Sequence, residues 1–193
     1  MANSESTNVL AVIPARYASS RFPGKPLASI AGRPMIQHVV ERVRQARSLS
    51  GIVVATDDER IGNAAKDFGV EALLTRPDHR TGTDRVAEVA VHLPAEIYVN
   101  VQGDEPLIDP GAIDALVSAM QEDPAVRIAT LCSAITQASH IMDPNIVKVV
   151  RDFEGNALYF SRAPVPWVRD TAETSAVRHW KHRERLRERR AAS

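Results

Sequence analysis

Short apolar runs rich in β-branched residues alternate with segments of helical period over the first 125 or so residues. Val9-Leu10-Ala11-Val12-Ile13, Ile52-Val53-Val54-Ala55 and Ile97-Tyr98-Val99-Asn100-Val101 carry almost no polar position. Runs of that kind predict strands covered on both faces, the habit of a parallel sheet. Val70 to Leu74 predicts a further, weaker strand. Pro34 is suited to open a helix in which Met35, Ile36, Val39, Val40, Val43 and Ala46 share one face. Asp58 to Phe68 predicts a second helix, closed by Gly69 just past its end. Thr83 to Leu93 turns Val86, Ala87, Val89, Ala90 and Leu93 inward, and Pro110 to Glu122 predicts a fourth helix.

This order predicts an α/β fold: an open, mostly parallel sheet with right-handed crossovers and helices on both faces. The rhythm then changes. Ile146 to Val150 and Ala157 to Phe160 are strand-like and are joined by Asp152-Phe153-Glu154-Gly155, which predicts an antiparallel hairpin added to the sheet. No linker or repeat divides the chain, so 1–177 reads as one α/β domain.

Composition excludes some classes. The net charge of zero gives no global field for nucleic acid or a membrane surface. It hides an asymmetry, because 178–193 carries seven Lys/Arg against two Glu and reads as a basic, atypical tail. No apolar run approaches the roughly 20 residues of a membrane span. The polar start, Met1 to Asn8, lacks the pattern of a secretory signal. The single cysteine, Cys132, excludes an internal disulfide and fits a reducing, cytoplasmic setting. It ends the apolar run Ile128-Ala129-Thr130-Leu131-Cys132 and reads as a buried, inert thiol.

Four segments carry candidate chemistry. Pro14 to Leu27 follows the first strand and holds Arg16, Arg21 and Lys25 together with Ser19, Ser20 and Gly24. Cations beside small, closely approachable backbone suit phosphate, although a solvated basic loop has the same composition. It is neither a Walker loop nor G-x-G-x-x-G, since Ser19 and Pro26 stand at the decisive positions. Val101-Gln102-Gly103-Asp104-Glu105-Pro106 follows a later strand and places a carboxylate pair at the same sheet edge, which suits Mg²⁺ beside phosphate or simply a turn. His79-Arg80-Thr81-Gly82-Thr83-Asp84-Arg85 precedes the third helix. Thr81 or Thr83 can cap it, and the free N–H groups with Arg80 and Arg85 can receive a base carbonyl or a phosphate. Arg162, after the last strand, can grip a carboxylate or lie on the surface. The six histidines show no metal-ligand spacing.

Together these segments resemble the 3-deoxy-manno-octulosonate cytidylyltransferases, or CMP-KDO synthetases. The resemblance rests on the loop Pro14 to Leu27, Ala55-Thr56-Asp57, His79-x-x-Gly82-Thr83-Asp84-Arg85, and Asn100-Val101-Gln102-Gly103-Asp104-Glu105-Pro106. It continues through Pro144-Asn145-x-Val147-Lys148-Val149-Val150 and Ala157 to Trp167. It spans about 8–182 in the right order. It implies a fold like that of the nucleotide-diphospho-sugar transferases and a reaction joining CMP from CTP to an acidic eight-carbon sugar with release of pyrophosphate, for lipopolysaccharide precursors. By position it implies Arg16, Ser19 and Lys25 at the triphosphate, Arg80 and Thr81 at the cytidine, and Asp104 on Mg²⁺. Gln102, Arg162 and His182 would lie at the sugar. Arg16, Lys25 and Asp104 are then the catalytic set, and a homodimer is implied for the intact family. CMP-sialic acid synthetases are a neighbouring possibility, but they carry a Gly-Gly-Ser-rich first loop where this chain has Tyr17-Ala18-Ser19-Ser20. The family pattern fades after His182, which reads as a chain ending before the pattern is complete. On that reading the enzyme is partial, and an inactive CTP-binding fragment is the alternative.

Overall fold

The computed structural model describes residues 7–18 and 22–165. Contacts divide the chain into two compact units, one up to Leu131 and one from Cys132 on.

In the first unit the chain forms β1 (Val9–Ala15), β2 (Ser29–Ile30), β3 (Arg33–Pro34), α1 (Met35–Val43), β4 (Gly51–Thr56) and α2 (Glu59–Asp67). It continues through β5 (Glu71–Leu74), α3 (Gly82–His92), β6 (Ile97–Asn100) and α4 (Pro110–Glu122). The apolar runs become a four-stranded parallel sheet in the order β5-β4-β1-β6. β1 is central, with Leu10 to Ala15 in register with Gly51 to Thr56 on one side and Val9 to Val12 with Ile97 to Asn100 on the other.

Side chains alternate between the two sheet faces, as the period of two requires. Ala11, Ile13 and Ala15 of β1 and Val54 of β4 join Ile36, Val39, Val40 and Val43 of α1, Ile61 and Ala65 of α2, and Ile113 and Val117 of α4. Val12, Val53 and Ala55 point the other way, against Val89 of α3. Helices therefore cover both faces. Each fully buried Val or Ile contributes roughly 1.5–3 kcal/mol, and this double layer holds the strand ends rigid.

Helix ends follow local chemistry. Asp58 caps α2 by accepting from the Arg60 N–H, Asp109 caps α4 from Gly111, and Thr81 caps α3. Gly69 ends α2 at φ 71°, as its sequence position predicts. α3 begins at Gly82, one residue earlier than predicted, and Ala87 lies exposed while Arg85 is buried.

In the second unit α5 (Ala138–Met142) precedes β7 (Lys148–Arg151) and β8 (Ala157–Ser161). β7 and β8 pair antiparallel, as predicted, but form their own two-stranded sheet rather than extending the parallel one. Cys132 is exposed, as are Ile128 and Leu131. The expectation of a buried thiol fails because 125–136 forms no strand, so no ladder turns its apolar residues toward a core.

Candidate active site

The strand order fixes where a ligand can sit. The chain builds outward from β1 to β4 and β5, then returns to the far side of β1 with β6. That reversal opens a crevice beyond the carboxyl ends of β1 and β6, the ligand position of open α/β sheets. The two motif loops leave the sheet at those two ends.

They meet there closely. A Cβ at Gly103 would lie 2.9 Å from the Pro14 carbonyl oxygen, so only glycine lets the loop after β6 press against the end of β1. Gly24 sits at φ 71° with its N–H donating to the Tyr17 carbonyl at 2.8 Å. It turns the first loop into the 3₁₀ turn Lys25–Leu27. Lys25 is thereby aimed back across the crevice, and its Nζ stands 2.6 Å from Asp104 Oδ2. Both side chains are substantially solvent-accessible, at 39% and 52%. Tyr17 of the first loop is held from β4's side: the Arg60 guanidinium stacks 3.4 Å above its ring centre and grips Asp58 with two bonds of 2.9 and 2.6 Å. That hydrogen-bonded guanidinium holds the Asp58 carboxyl below its ordinary range.

The start of α3 comes to the same edge. A Cβ at Gly82 would lie 3.2 Å from Pro14 Cγ and 4.0 Å from Gln102 Oε1. Thr81 and Asp84 form a capping box: Thr81 Oγ1 accepts from the Asp84 N–H at 3.1 Å, and Asp84 accepts from the Thr81 N–H at 2.9 Å. Hydrogen bonding from the Thr81 side chain and backbone N–H to the Asp84 carboxylate lowers its pKa. Behind the helix start, Glu88 accepts from the Arg76 N–H at 3.0 Å and bonds the His79 ring, which lowers its pKa.

The sequence-predicted residues divide as follows. Lys25 and Asp104 are brought together. Gln102 is exposed beside them, with its amide donating to Asn100 Oδ1 at 3.1 Å. Arg16 and Arg80 are exposed and make no ion pair among the described residues. Thr81 is the helix cap. Arg85 is not available to a base or phosphate: it is only 3% exposed, and its guanidinium meets Thr75 Oγ1 and Asp57. Arg162, in the second unit, is exposed and donates to the Pro144 carbonyl at 2.9 Å. Ser19 and His182 lie outside the described residues.

Two features escaped sequence reading. One is the Arg85–Asp57 pair, although Asp57 belongs to a quoted motif. The other is Lys148, which is 4% exposed and donates to the carbonyls of Asp143, Ile146 and Arg162 at 2.9, 2.9 and 2.6 Å. Lysine inside an apolar strand pattern was the available signal.

No group of three or more His, Cys, Asp or Glu suited to a metal occurs among the described residues. Asp104 alone still fits Mg²⁺, which keeps several waters and takes one or two carboxylates together with substrate phosphates. A recess of about 290 Å³ lies at the opposite end of the sheet, beside Arg44, Gly51 and Glu71. Arg44 is already spent there on the Phe68 and Gly69 carbonyls, so the crevice remains the chemically equipped place. No described helix is long and apolar enough to cross a membrane.

Comparison with known proteins follows the same lines. A family model described as cytidylyltransferase matches residues 10–191, which takes in most of the basic stretch. The 3-deoxy-manno-octulosonate cytidylyltransferase of Geobacter sulfurreducens is 58% identical over 163 residues, covering 84% of this chain and 65% of that protein. The protein of the same name from Syntrophotalea carbinolica is 56% identical over 171 residues, with 88% and 68% covered. This chain thus spans about two thirds of the length of these relatives. A solved structure of CMP:2-keto-3-deoxy-manno-octonic acid synthetase complexed with CTP is 50% identical and superposes with a TM-score of 0.82, covering 85% of this chain and 68% of that one.

Proposed function

The chain belongs to the cytidylyltransferase family, among the 3-deoxy-manno-octulosonate cytidylyltransferases, and on that premise we propose that it transfers CMP from CTP to 3-deoxy-manno-octulosonate. The sugar's anomeric hydroxyl attacks the α-phosphorus. The new P–O bond forms as the bond to the β-phosphate oxygen breaks, pyrophosphate leaves, and the hydroxyl proton passes to solvent.

The observation that carries this reading is the Lys25–Asp104 pair at the switch point. An ion pair this accessible contributes only about 0–1 kcal/mol, so parting it costs little. A nucleotide separates the partners into their working roles. Lys25 turns to the phosphates and offsets the charge that gathers on the leaving pyrophosphate. Asp104 is freed as the carboxylate that would hold Mg²⁺. Bound there, Mg²⁺ supplies charge neutralisation and orientation of the phosphate oxygens. Arg16 and Ser19 add donors to the triphosphate from the same loop. Arg80, Thr81 and the free N–H groups opening α3 face the cytidine. The hydroxyl and the N–H of Thr81 are both engaged in the capping box, so Thr81 acts there by fixing the opening of α3. Gln102 receives the sugar. Catalysis of this type is mainly positioning and electrostatics, so rigid strand ends matter more than a reactive side chain.

Pyrophosphate release from CTP, Mg²⁺ and 3-deoxy-manno-octulosonate tests this, with Asp104→Ala as control. Release that the substitution abolishes supports the assignment. Equal release from both chains removes Asp104 from the mechanism, and neither turnover nor Mg²⁺-dependent CTP binding by the parent chain rejects the reading.

A further inference from the structure

We propose that Arg85 and Asp57 are positioning residues of the nucleotide subsite: a buried charge pair that pins the first turn of α3 to the ends of β4 and β5. The inference rests on the nucleotide-binding reading given above and adds residues that touch no substrate.

Asp57 directly follows β4, whose last residue, Thr56, is in register with Ala15 at the end of β1. Arg85 lies one turn inside α3. Its Nη2 stands 3.3 Å from Asp57 Oδ2 and its Nη1 donates to Thr75 Oγ1. The side chains of Arg85 and Asp57 are 4% and 14% exposed. Thr75 is itself fixed, its N–H and hydroxyl both donating to the Thr56 carbonyl at 2.8 and 3.1 Å. One guanidinium therefore ties the helix to two strand ends. Three residues before Arg85 is Gly82, packed against Pro14 and facing Gln102. Movement of Arg85 becomes movement of the helix opening at the crevice.

Stability alone does not account for the pair. Taking two charges out of water costs enough that well-packed apolar residues commonly equal or exceed a buried ion pair. This pair is also imperfect, because Asp57 Oδ1 is buried without a hydrogen-bond partner among the described residues. An unmet buried acceptor is a net cost to folding. A costly contact with fixed direction, set behind a ligand-facing helix start, supplies geometry. The neighbouring carboxylate works in parallel: Asp58 holds Arg60, which holds Tyr17 of the first loop. The adjacent pair Asp57-Asp58 thus braces both flanks of the crevice.

The test uses the full chain with four variants: Arg85→Met, Arg85→Lys, Asp57→Asn, and Arg85→Met combined with Asp57→Asn. Two quantities are read: the Kd for CTP with Mg²⁺ by calorimetry, and unfolding by urea. Arg85→Met strands a buried carboxylate, so it should lower stability and raise Kd by at least about tenfold, the scale of a small misplacement. The double variant removes the stranded charge. It should regain stability while its Kd stays raised. Arg85→Lys keeps the charge without the fork and should recover the affinity only in part. Parental Kd in the double variant, or affinity that recovers in step with stability, overturns the inference. If the parent chain fails to bind CTP, the nucleotide reading itself falls and this inference with it. A binding parent with every variant at parental Kd refutes the inference alone.

Discussion

Replacing Gly103 by alanine is the smallest change that probes how the crevice is assembled. The added Cβ would stand 2.9 Å from the Pro14 carbonyl oxygen, 3.6 Å from Ala15 Cβ and 3.7 Å from Ile13 Cγ2. The last two are ordinary contacts. The first is short, since carbon–oxygen contacts settle at about 3.3–3.6 Å. Because the obstacle is backbone of the central strand, the loop after β6 must retreat by roughly half an ångström. That retreat loads the Val101 N–H bond to the Val12 carbonyl, now 3.0 Å, and draws Asp104 away from Lys25. Forcing atoms into packed space costs about 1–3 kcal/mol, and that is the destabilisation expected in urea unfolding followed by circular dichroism. CTP affinity should fall as well. Gly111→Ala is the matched control. Its Cβ meets nothing nearer than Asp109 Oδ1 at 3.5 Å, and it lies in the first turn of α4. Losing glycine's freedom in the unfolded chain should stabilise it by about 0.4–1 kcal/mol. Opposite signs support the close approach. A Gly103→Ala chain that unfolds and binds like the parent refutes it.

Three further outcomes follow from the same geometry. Lys25→Met should leave unfolding within about 1 kcal/mol of the parent, because the broken pair is accessible, yet abolish Mg²⁺-dependent CTP binding by calorimetry; retained binding removes Lys25 from the site. Lys148→Met should destabilise the second unit by on the order of 2 kcal/mol or more, since three carbonyls lose their donor, read as faster amide exchange in β7 and β8. Glu88 has a lowered folded-state pKa, first through its bond from the His79 ring, so its stabilising contribution is present above the ordinary carboxylate range and is lost as pH falls through the lowered value. Glu88→Gln should accordingly flatten the acid side of the stability–pH curve below about pH 4.3, and an unchanged acid limb would refute that role.

The parallel sheet was legible because burial on both faces leaves uninterrupted apolar runs, and β1 and β4 are such runs. Gly69 marked the end of α2 for a similarly local reason. The site was legible as two loops at one sheet edge, since strand direction alone places them there. What stayed hidden depends on which side chains meet. Arg85 reads as a surface cation in a basic motif, and only its position on α3 opposite Thr75 and Asp57 reveals it as interior. Ala87 fits the helical period but lies outside α3's contact stripe. Ile128 to Cys132 has the composition of a strand without a neighbouring strand to pair with. The hairpin was predicted from its turn, but whether it joins another sheet is a long-range matter that no turn specifies.

The strand order also links occupancy to folding. Among the described residues β6 joins the sheet through β1 alone, along four register pairs, and Lys25 and Asp104 are 79 residues apart in sequence. Neither loop by itself presents both the cation and the carboxylate. On the proposed function, a nucleotide that engages both works as a clasp across the β1–β6 seam, and its binding energy resists the departure of β6. On that function, filling the crevice adds to the stability of a seam that is already closed without it.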